Sequence, residues 1–466
     1  MTTTMHKKYF PSILLITAAL ALGSCKKLVE IDDPRGTIPT SAIFTDSASA
    51  SSGILTMYTK MMGLSIAPNF GSGQVTLYTG QSADELISTT TGDQPFGQNT
   101  LAQDNGNLKI AWTDAYSFIY QANICIDGLN ASTTIAATTK TQFLAEAKFV
   151  RAFFYFYLVN LWGDVPYVTS SDYSLSFGKG RMPAATIYNN IVADLLYAQA
   201  ELPAAYPAAG KVRPIRLAAT ALLARVYLYQ GEWAKAEASA SAVISSGIIP
   251  AALSSPANSF LKNSDEAIWQ LMPVNAGYVT LEGYQLLSFG TGNIPYYIMQ
   301  TSLLNSFETG DTRYTNWVKS AISTAAPITT NYYPYKYKVR GGTPVTEYYT
   351  MLRLAEQYLI RAEARARLVK VPDAVSDVNV IRTRAGLIGL ATTLTQDQAY
   401  AAIAQERRIE FFAEWGHRWL DLKRTGKADA VLAPLKPKWK PTAVLYPIPI
   451  TELMVDPSLT QNEGYQ

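Results

Sequence analysis

The sequence predicts a mostly helical protein, built from tetratricopeptide-like helix hairpins and carrying long loop insertions with a few short strands. Three observations predict it. Apolar residues recur at three- and four-residue steps over several long segments. Two of those segments share one spacing of small residues. Between them lies a long stretch, about residues 250–346, rich in Gly, Pro, Asn, Ser and Tyr.

The chain opens on a leader. Lys7 and Lys8 precede an apolar segment from Tyr9 to Leu22, too short to span a membrane and of signal-peptide length. Leu22-Gly23-Ser24-Cys25 resembles the bacterial lipobox, in which the cysteine is acylated and becomes the new N-terminus. Residues 1–24 are therefore expected to be removed, and Cys25 to carry lipid. Residues 25–46 read as a lipidated tether and lead-in segment, broken by Pro34, Gly36 and Pro39. Residues 47–466 read as one domain. No other uninterrupted apolar run reaches the roughly 18 residues a spanning helix needs.

A loop-rich region at about 66–106 comes next. Phe143, Ala147, Val150, Phe154, Tyr157 and Leu161 then mark one helical face, which Gly163 and Pro166 end. Leu217, Ala221, Ala224 and Leu228 repeat the period. So do Leu352, Ala355, Leu359 and Ala362, and later Ile409, Phe412, Ala413, Gly416 and Leu420. Ala224, Ala236, Ala240 and Val243 stand at the same offsets as Ala362, Ala374, Val378 and Ile381. Small residues there let two antiparallel helices close over a short turn, the logic of stacked helix-hairpin repeats. The second copy has Arg365 where the first has the aromatic Tyr227. In the insertion, "YPYKYKVRGGTPVTEYY" reads as a small hairpin turning near Gly341-Gly342, with Tyr333, Tyr335 and Tyr337 on one face and Lys336, Lys338 and Arg340 on the other.

Composition narrows the chemistry. Charged residues are 16% of the chain, and the formal charge of +3 falls to +1 once Lys7 and Lys8 leave with the leader. There is no basic block, so no nucleic-acid partner is expected. Tyrosine is abundant, at 29 residues, and suits neutral polar ligands. Without the leader only His417 remains of the histidines, which rules out a multi-histidine metal site, and two cysteines rule out a Cys-rich one. Cys25 and Cys125 allow at most one disulfide. "ERRIEFFAEWGHRWLDLKRTG" places Glu406, Glu410, Glu414 and Asp421 near His417. Acid–base catalysis is one reading of it, but a helix pair with internal ion pairs and buried Phe411, Phe412, Trp415 and Trp419 is favoured. The adjacent carboxylates Asp84 and Glu85 invite a glycosidase reading, and Asp84 alone could accept from a sugar hydroxyl.

Residues 269–337 hold thirteen aromatics. Flat rings suit the C–H faces of sugars, and Tyr and Trp add a polar tip. Tyr296 and Tyr297, in a loop after Gly292, Asn293 and Pro295, lead the candidates for glycan contact. Trp317, Tyr284 and Tyr332 follow, and Tyr78, Asp84, Phe96 and Gln98 join from the first loop-rich region.

Six segments in order resemble the SusD/RagB family of outer-membrane nutrient-binding lipoproteins. They are "LVEIDDPRGTIPTSAIFTD", "AEAKFVRAFFYFYLVNLWGDVPYV", "RLAEQYLIRAEARARL", "VNVIRTRAGL", "ERRIEFFAEWGHRWLDLKRTG" and "LYPIPITELMVDPSLTQNEGY". The resemblance implies a SusD-like α/α superhelix with four tetratricopeptide-like helix pairs. It implies a lipid anchor at the outer membrane of a Gram-negative cell and capture of oligosaccharide for a SusC-type TonB-dependent transporter. It implies a binder rather than an enzyme. A peptide-capturing RagB-type binder and a carboxylate-based glycoside hydrolase are the alternatives. No cofactor and no catalytic metal are implied, though the composition leaves room for a structural calcium ion.

Overall fold

The segment from Phe143 to Trp162, expected to show one apolar face, becomes a helix buried on nearly every side, around which much of the rest packs. The computed structural model describes residues 43–465 apart from 276, 291, 325 and 326, so the leader, Cys25 and the tether up to residue 42 lie outside the described residues. The helices of eight residues or more are α1 (Ser47–Met62), α2 (Gln74–Ser82), α3 (Gly106–Ala131), α4 (Ala137–Trp162), α5 (Ala184–Glu201), α6 (Arg216–Gln230), α7 (Trp233–Ile244), α8 (Leu354–Arg367), α9 (Val371–Arg384), α10 (Gln396–Phe411) and α11 (His417–Arg424). Among the described residues, no helix is long and apolar enough to cross a membrane.

From Phe143 onward α4 is buried on nearly every side. A helix apolar all round belongs in an interior, and α4 meets aromatics from several directions. Phe154 stacks on Phe118 with ring centroids 4.7 Å apart, and Phe153 meets Trp269 and Trp415 edge-on at 5.6 and 5.1 Å.

Each helix from α3 to α10 packs on the next in chain order. Ala224, Ala236, Ala240 and Val243 are fully buried in the α6–α7 hairpin, and Ala362, Ala374, Val378 and Ile381 in the α8–α9 hairpin. These are the positions whose spacing predicted close packing. Gly231, at φ +74°, ends α6 in the left-handed conformation, where a side chain would be strained. The α7–α8 contact forms although residues 245–353 lie between the two helices. Arg365, the departure from the repeat pattern, bridges hairpins by reaching Glu237 on α7 at 3.2 Å and Asp377 on α9 at 2.9 Å.

Among the described residues, six short strands form three antiparallel pairs. β1 (Leu86–Ser88) pairs with β3 (Tyr297–Met299), β2 (Ala267–Leu271) with β6 (Tyr349–Arg353), and β4 (Val318–Ile322) with β5 (Thr330–Pro334). Three expectations are corrected. The stretch 333–349 is not a hairpin: its Tyr333 end pairs back to β4 and its Tyr349 end pairs with β2. Lys336 does not stand on a face apart from the aromatics, because it is buried, captured by aromatic rings and Glu414. Leu352 belongs to β6, so α8 starts only at Leu354. The apolar period from Ile409 to Leu420 also runs through a break, where Ala413, Trp415 and Gly416 all take positive φ. A Cβ on Gly416 would stand 2.4 Å from the Thr79 hydroxyl of α2, so the turn is shaped to α2.

A buried charge network fastens the insertion to this turn. Arg313 pairs with Asp311 and Glu406 at 2.8 Å and with Glu410 at 3.2 Å. Arg353, at the end of β6, pairs with Glu410 at 2.6 Å and Glu414 at 2.8 Å. Lys336 donates to the Glu410 carbonyl at 2.7 Å and to Glu414, while Phe412 and Trp317 face its ammonium at 4.2 and 4.6 Å. Burial lowers the Lys336 pKa to about 8. Such groups are strongly destabilising only when one partner is removed, so the network fixes how the insertion sits.

Candidate functional site

The β1–β3 pair joins the two loop-rich regions that lie far apart in the sequence. Ser88 stands opposite Tyr297, and the Thr89 N–H donates to the Tyr296 carbonyl at 2.8 Å. This pairing fixes the loop that carries Tyr296 against the first loop-rich region.

Beside it four side chains form a continuous surface array. The Arg340 guanidinium lies 3.9 Å from the Tyr284 ring centroid and 5.4 Å from that of Phe289. Phe289 lies 5.8 Å from Tyr296 at an interplanar angle of 32°. Phe289 is 49% exposed, and Tyr284, Tyr296 and Arg340 are half-buried. Arg340 Nε donates to the Tyr284 carbonyl at 2.9 Å, which orients the fork. The Ser288 hydroxyl donates to the carbonyls of Gly290 and Asn293 and closes the turn beneath Phe289. The result is a partly exposed aromatic surface with a guanidinium set among its rings and the exposed Asn293 in the same turn as Phe289.

A polar cavity of about 490 Å³ lies beyond the other end of β3, lined by Asp84, Gln98, Gln300, Ser302, Lys436 and Lys438 among others. Lys438 donates to Gln98 at 2.9 Å. Burial opposes the Asp84 charge, but Arg418 at 2.7 Å and Arg408 at 2.6 Å outweigh it and hold the carboxyl below its usual range. Burial and the Asp84 charge push Glu85 the other way, to about 8. Only Asp84 of the two lines the cavity.

The sequence candidates therefore divide. Tyr284 and Tyr296 meet in the array, and Asp84 and Gln98 share the polar cavity. Tyr332 is half-buried in the β4–β5 hairpin beside Tyr314. The other four are packed inside. Trp317 is fully buried and its indole N–H donates to the Pro256 carbonyl at 2.6 Å. Tyr78 stacks on the fully buried Phe96 at 4.1 Å. The buried Tyr297 donates to Asp93. These four are buried because the short helices and the strand that carry them are packed into the core.

Sequence reasoning missed Phe289 and the placement of Arg340. A bulky aromatic among Ser288, Gly290, Gly292 and Asn293 was the available signal for Phe289. Nothing local marks Arg340, whose position depends on the two sheets. His417 is buried against Phe411 at 4.6 Å, and burial together with nearby arginines pushes its pKa well down. Glu406, Glu410, Glu414 and Asp421 are all held in ion pairs.

Two family models match the chain: one described as starch-binding, associating with outer membrane, over residues 64–228, and that of the SusD family over residues 284–465. The chain is similar to two proteins of Formosa agariphila over nearly its whole length. SusD-like protein P25 is 26% identical, covering 95% of this chain and 97% of the relative. SusD-like protein P2 is 28% identical, covering 98% and 100%. A solved structure described as a laminarin binding SusD-like protein superposes with a TM-score of 0.73 at 24% identity, over 90% of this chain and all of the other.

Proposed function

Because the chain belongs to the SusD/RagB family, we propose that it is a cell-surface protein that binds oligosaccharide and delivers it to a SusC-type TonB-dependent transporter in the outer membrane. The observation that carries this reading is the array of Tyr284, Arg340, Phe289 and Tyr296. Sugar rings would stack on the aromatic faces while Arg340 and Asn293 bond hydroxyl edges. Covering on the order of 200 Å² of apolar surface contributes about 5 kcal/mol at ~25 cal/mol/Å², much of it offset by lost motion of the ligand. Affinity is then modest, as suits a ligand that must be passed on. The reaction class is binding without turnover and needs no cofactor.

The carboxylate pair supports a binder over a glycoside hydrolase. Hydrolysis needs two carboxyls facing each other across a glycosidic bond. Asp84 is committed to two arginines, and Glu85 is buried in the core. Cys25 is proposed as the lipid attachment point, and mass spectrometry of the native N-terminus tests it: an unmodified cysteine removes the anchor.

A glycan array probed with residues 26–466 tests the main reading, followed by calorimetry on the best ligand. The Tyr284→Ala/Phe289→Ala/Tyr296→Ala triple variant should bind at least tenfold more weakly. Wild-type affinity in that variant would exclude the array. Tight binding of peptides and of no glycan would favour peptide capture, and steady release of reducing ends from a polysaccharide panel would establish a hydrolase.

A further inference from the structure

We propose that the cleft between α8, α10 and α11 is a second binding site, for a small organic ligand carrying a carboxylate or sulfate group. The cleft encloses about 740 Å³ and shares no residue with the aromatic array. That volume suits an organic ligand and exceeds the needs of a bare oxyanion.

Its charge is unbalanced. Arg407 and Arg424 are matched by Asp421 and Glu363, at 2.7 Å for Arg407–Asp421 and 2.6 Å for Arg424–Glu363. Arg408 and Arg418, by contrast, share the single carboxylate of Asp84. Among the described residues, Glu85 beside it forms no ion pair with either arginine: it is buried and accepts from the Ala413 N–H at 3.3 Å. At the rim, Arg367 and Lys427 are exposed and Asp397 is the carboxylate that accompanies them. The cleft thus holds two positive charges in excess.

Its donors are also incompletely used. Among the described residues, the buried Nη1 of Arg407 and Nε of Arg408 have no acceptor. Unpaired buried donors are costly, and a guanidinium fork matches the paired oxygens of a carboxylate or sulfate. Between the cations the walls are apolar, with Ile403, Leu422 and Val431. Tyr400, 4.5 Å beneath the Arg367 guanidinium, holds that fork at the mouth. A ligand with an anionic end and a ring-sized body meets both features.

Calorimetry on residues 26–466 tests this with four probes: a disaccharide containing glucuronic acid, a sulfated disaccharide, a neutral disaccharide of the same size and inorganic sulfate alone. At least one acidic disaccharide should bind, and its affinity should fall as salt is raised. The Arg367→Ala/Lys427→Ala variant should weaken that binding at least tenfold with an unchanged melting temperature, since both side chains are exposed. Lys427→Glu alone should weaken it in the same direction. The Tyr284/Phe289/Tyr296 triple alanine should leave it intact, which separates this site from the proposed array. The proposal is overturned if neither acidic disaccharide binds, if the neutral one binds equally well, if inorganic sulfate binds as tightly as the organic anions, or if both rim variants retain full affinity.

Discussion

Trp317→Ala and Tyr296→Ala should separate a core ring from a ligand-facing one within the same insertion. Trp317 has no exposed surface, and its indole N–H bonds the Pro256 carbonyl at 2.6 Å. Truncating a buried Trp costs about 3–5 kcal/mol, and the orphaned carbonyl adds about 1 kcal/mol or more, so about 4–6 kcal/mol is expected. Unfolding entropy of ~2.1 cal/mol/K per residue gives about 0.9 kcal/mol/K for a body of about 420 residues. The melting temperature should therefore fall by about 4–7 °C. Tyr296 is half-buried and touches Phe289 on one side. Its truncation should move the melting temperature by about 1 °C but weaken the glycan by about 1–2 kcal/mol, roughly 5–30-fold. Differential scanning fluorimetry and calorimetry on the same preparations read both effects. A Trp317→Ala protein that melts like wild type yet loses glycan would refute the assignment of Trp317 to the core.

Three further outcomes follow from particular contacts. Asp84→Asn leaves Arg408 and Arg418 without their carboxylate and should lower stability by about 3 kcal/mol, near the low end for a broken buried pair because both arginines keep some solvent; equilibrium denaturation measures it. Glu85 has a folded pKa of about 8, above its ordinary 4.5, so its contribution is present in acid and is lost as pH rises through 8. The melting temperature of Glu85→Gln relative to wild type should accordingly climb between pH 5 and pH 9, and a constant difference would count against the shift. Ala362→Leu forces extra volume into the closed α8–α9 hairpin and should cost about 1–3 kcal/mol, read by thermal melting.

The helical body was legible because its signals are local. Period and small-residue spacing depend on neighbours within one hairpin, and Ala224, Ala236, Ala362 and Ala374 are buried at the expected places. The insertion was less legible because its partners are remote. Tyr333 pairs with Lys319 rather than folding onto Tyr349, and Lys336 is fixed by Glu414, far along the chain. Alternation sets Lys336 on a face apart from the tyrosines, and only the remote rings of Trp317 and Phe412 account for its burial. The same limit divided the candidate site. Sequence context singled out Tyr284, Tyr296, Tyr297 and Trp317 alike, and it could not tell the half-buried pair from the buried one, whose burial depends on what covers them. The charge count also gave no hint that Arg313, Arg353, Glu406 and Glu410 would be gathered into one buried cluster, because that depends on remote partners.

The direct contact of α7 with α8 across residues 245–353 has an evolutionary consequence. The helix stack runs on past the segment that carries the aromatic array, and that segment contributes β2 with Trp269 to the core, so inheritance can act on the array apart from the hairpins. Residues 285–293 can drift and retune which ligand is held while the hairpins stay unchanged. The permitted drift stops at Arg313, Lys336 and Arg353, the keys that fit Glu406, Glu410 and Glu414. A segment transplanted from a relative should seat on this body if it brings those three cations in register, whatever rings it displays outside.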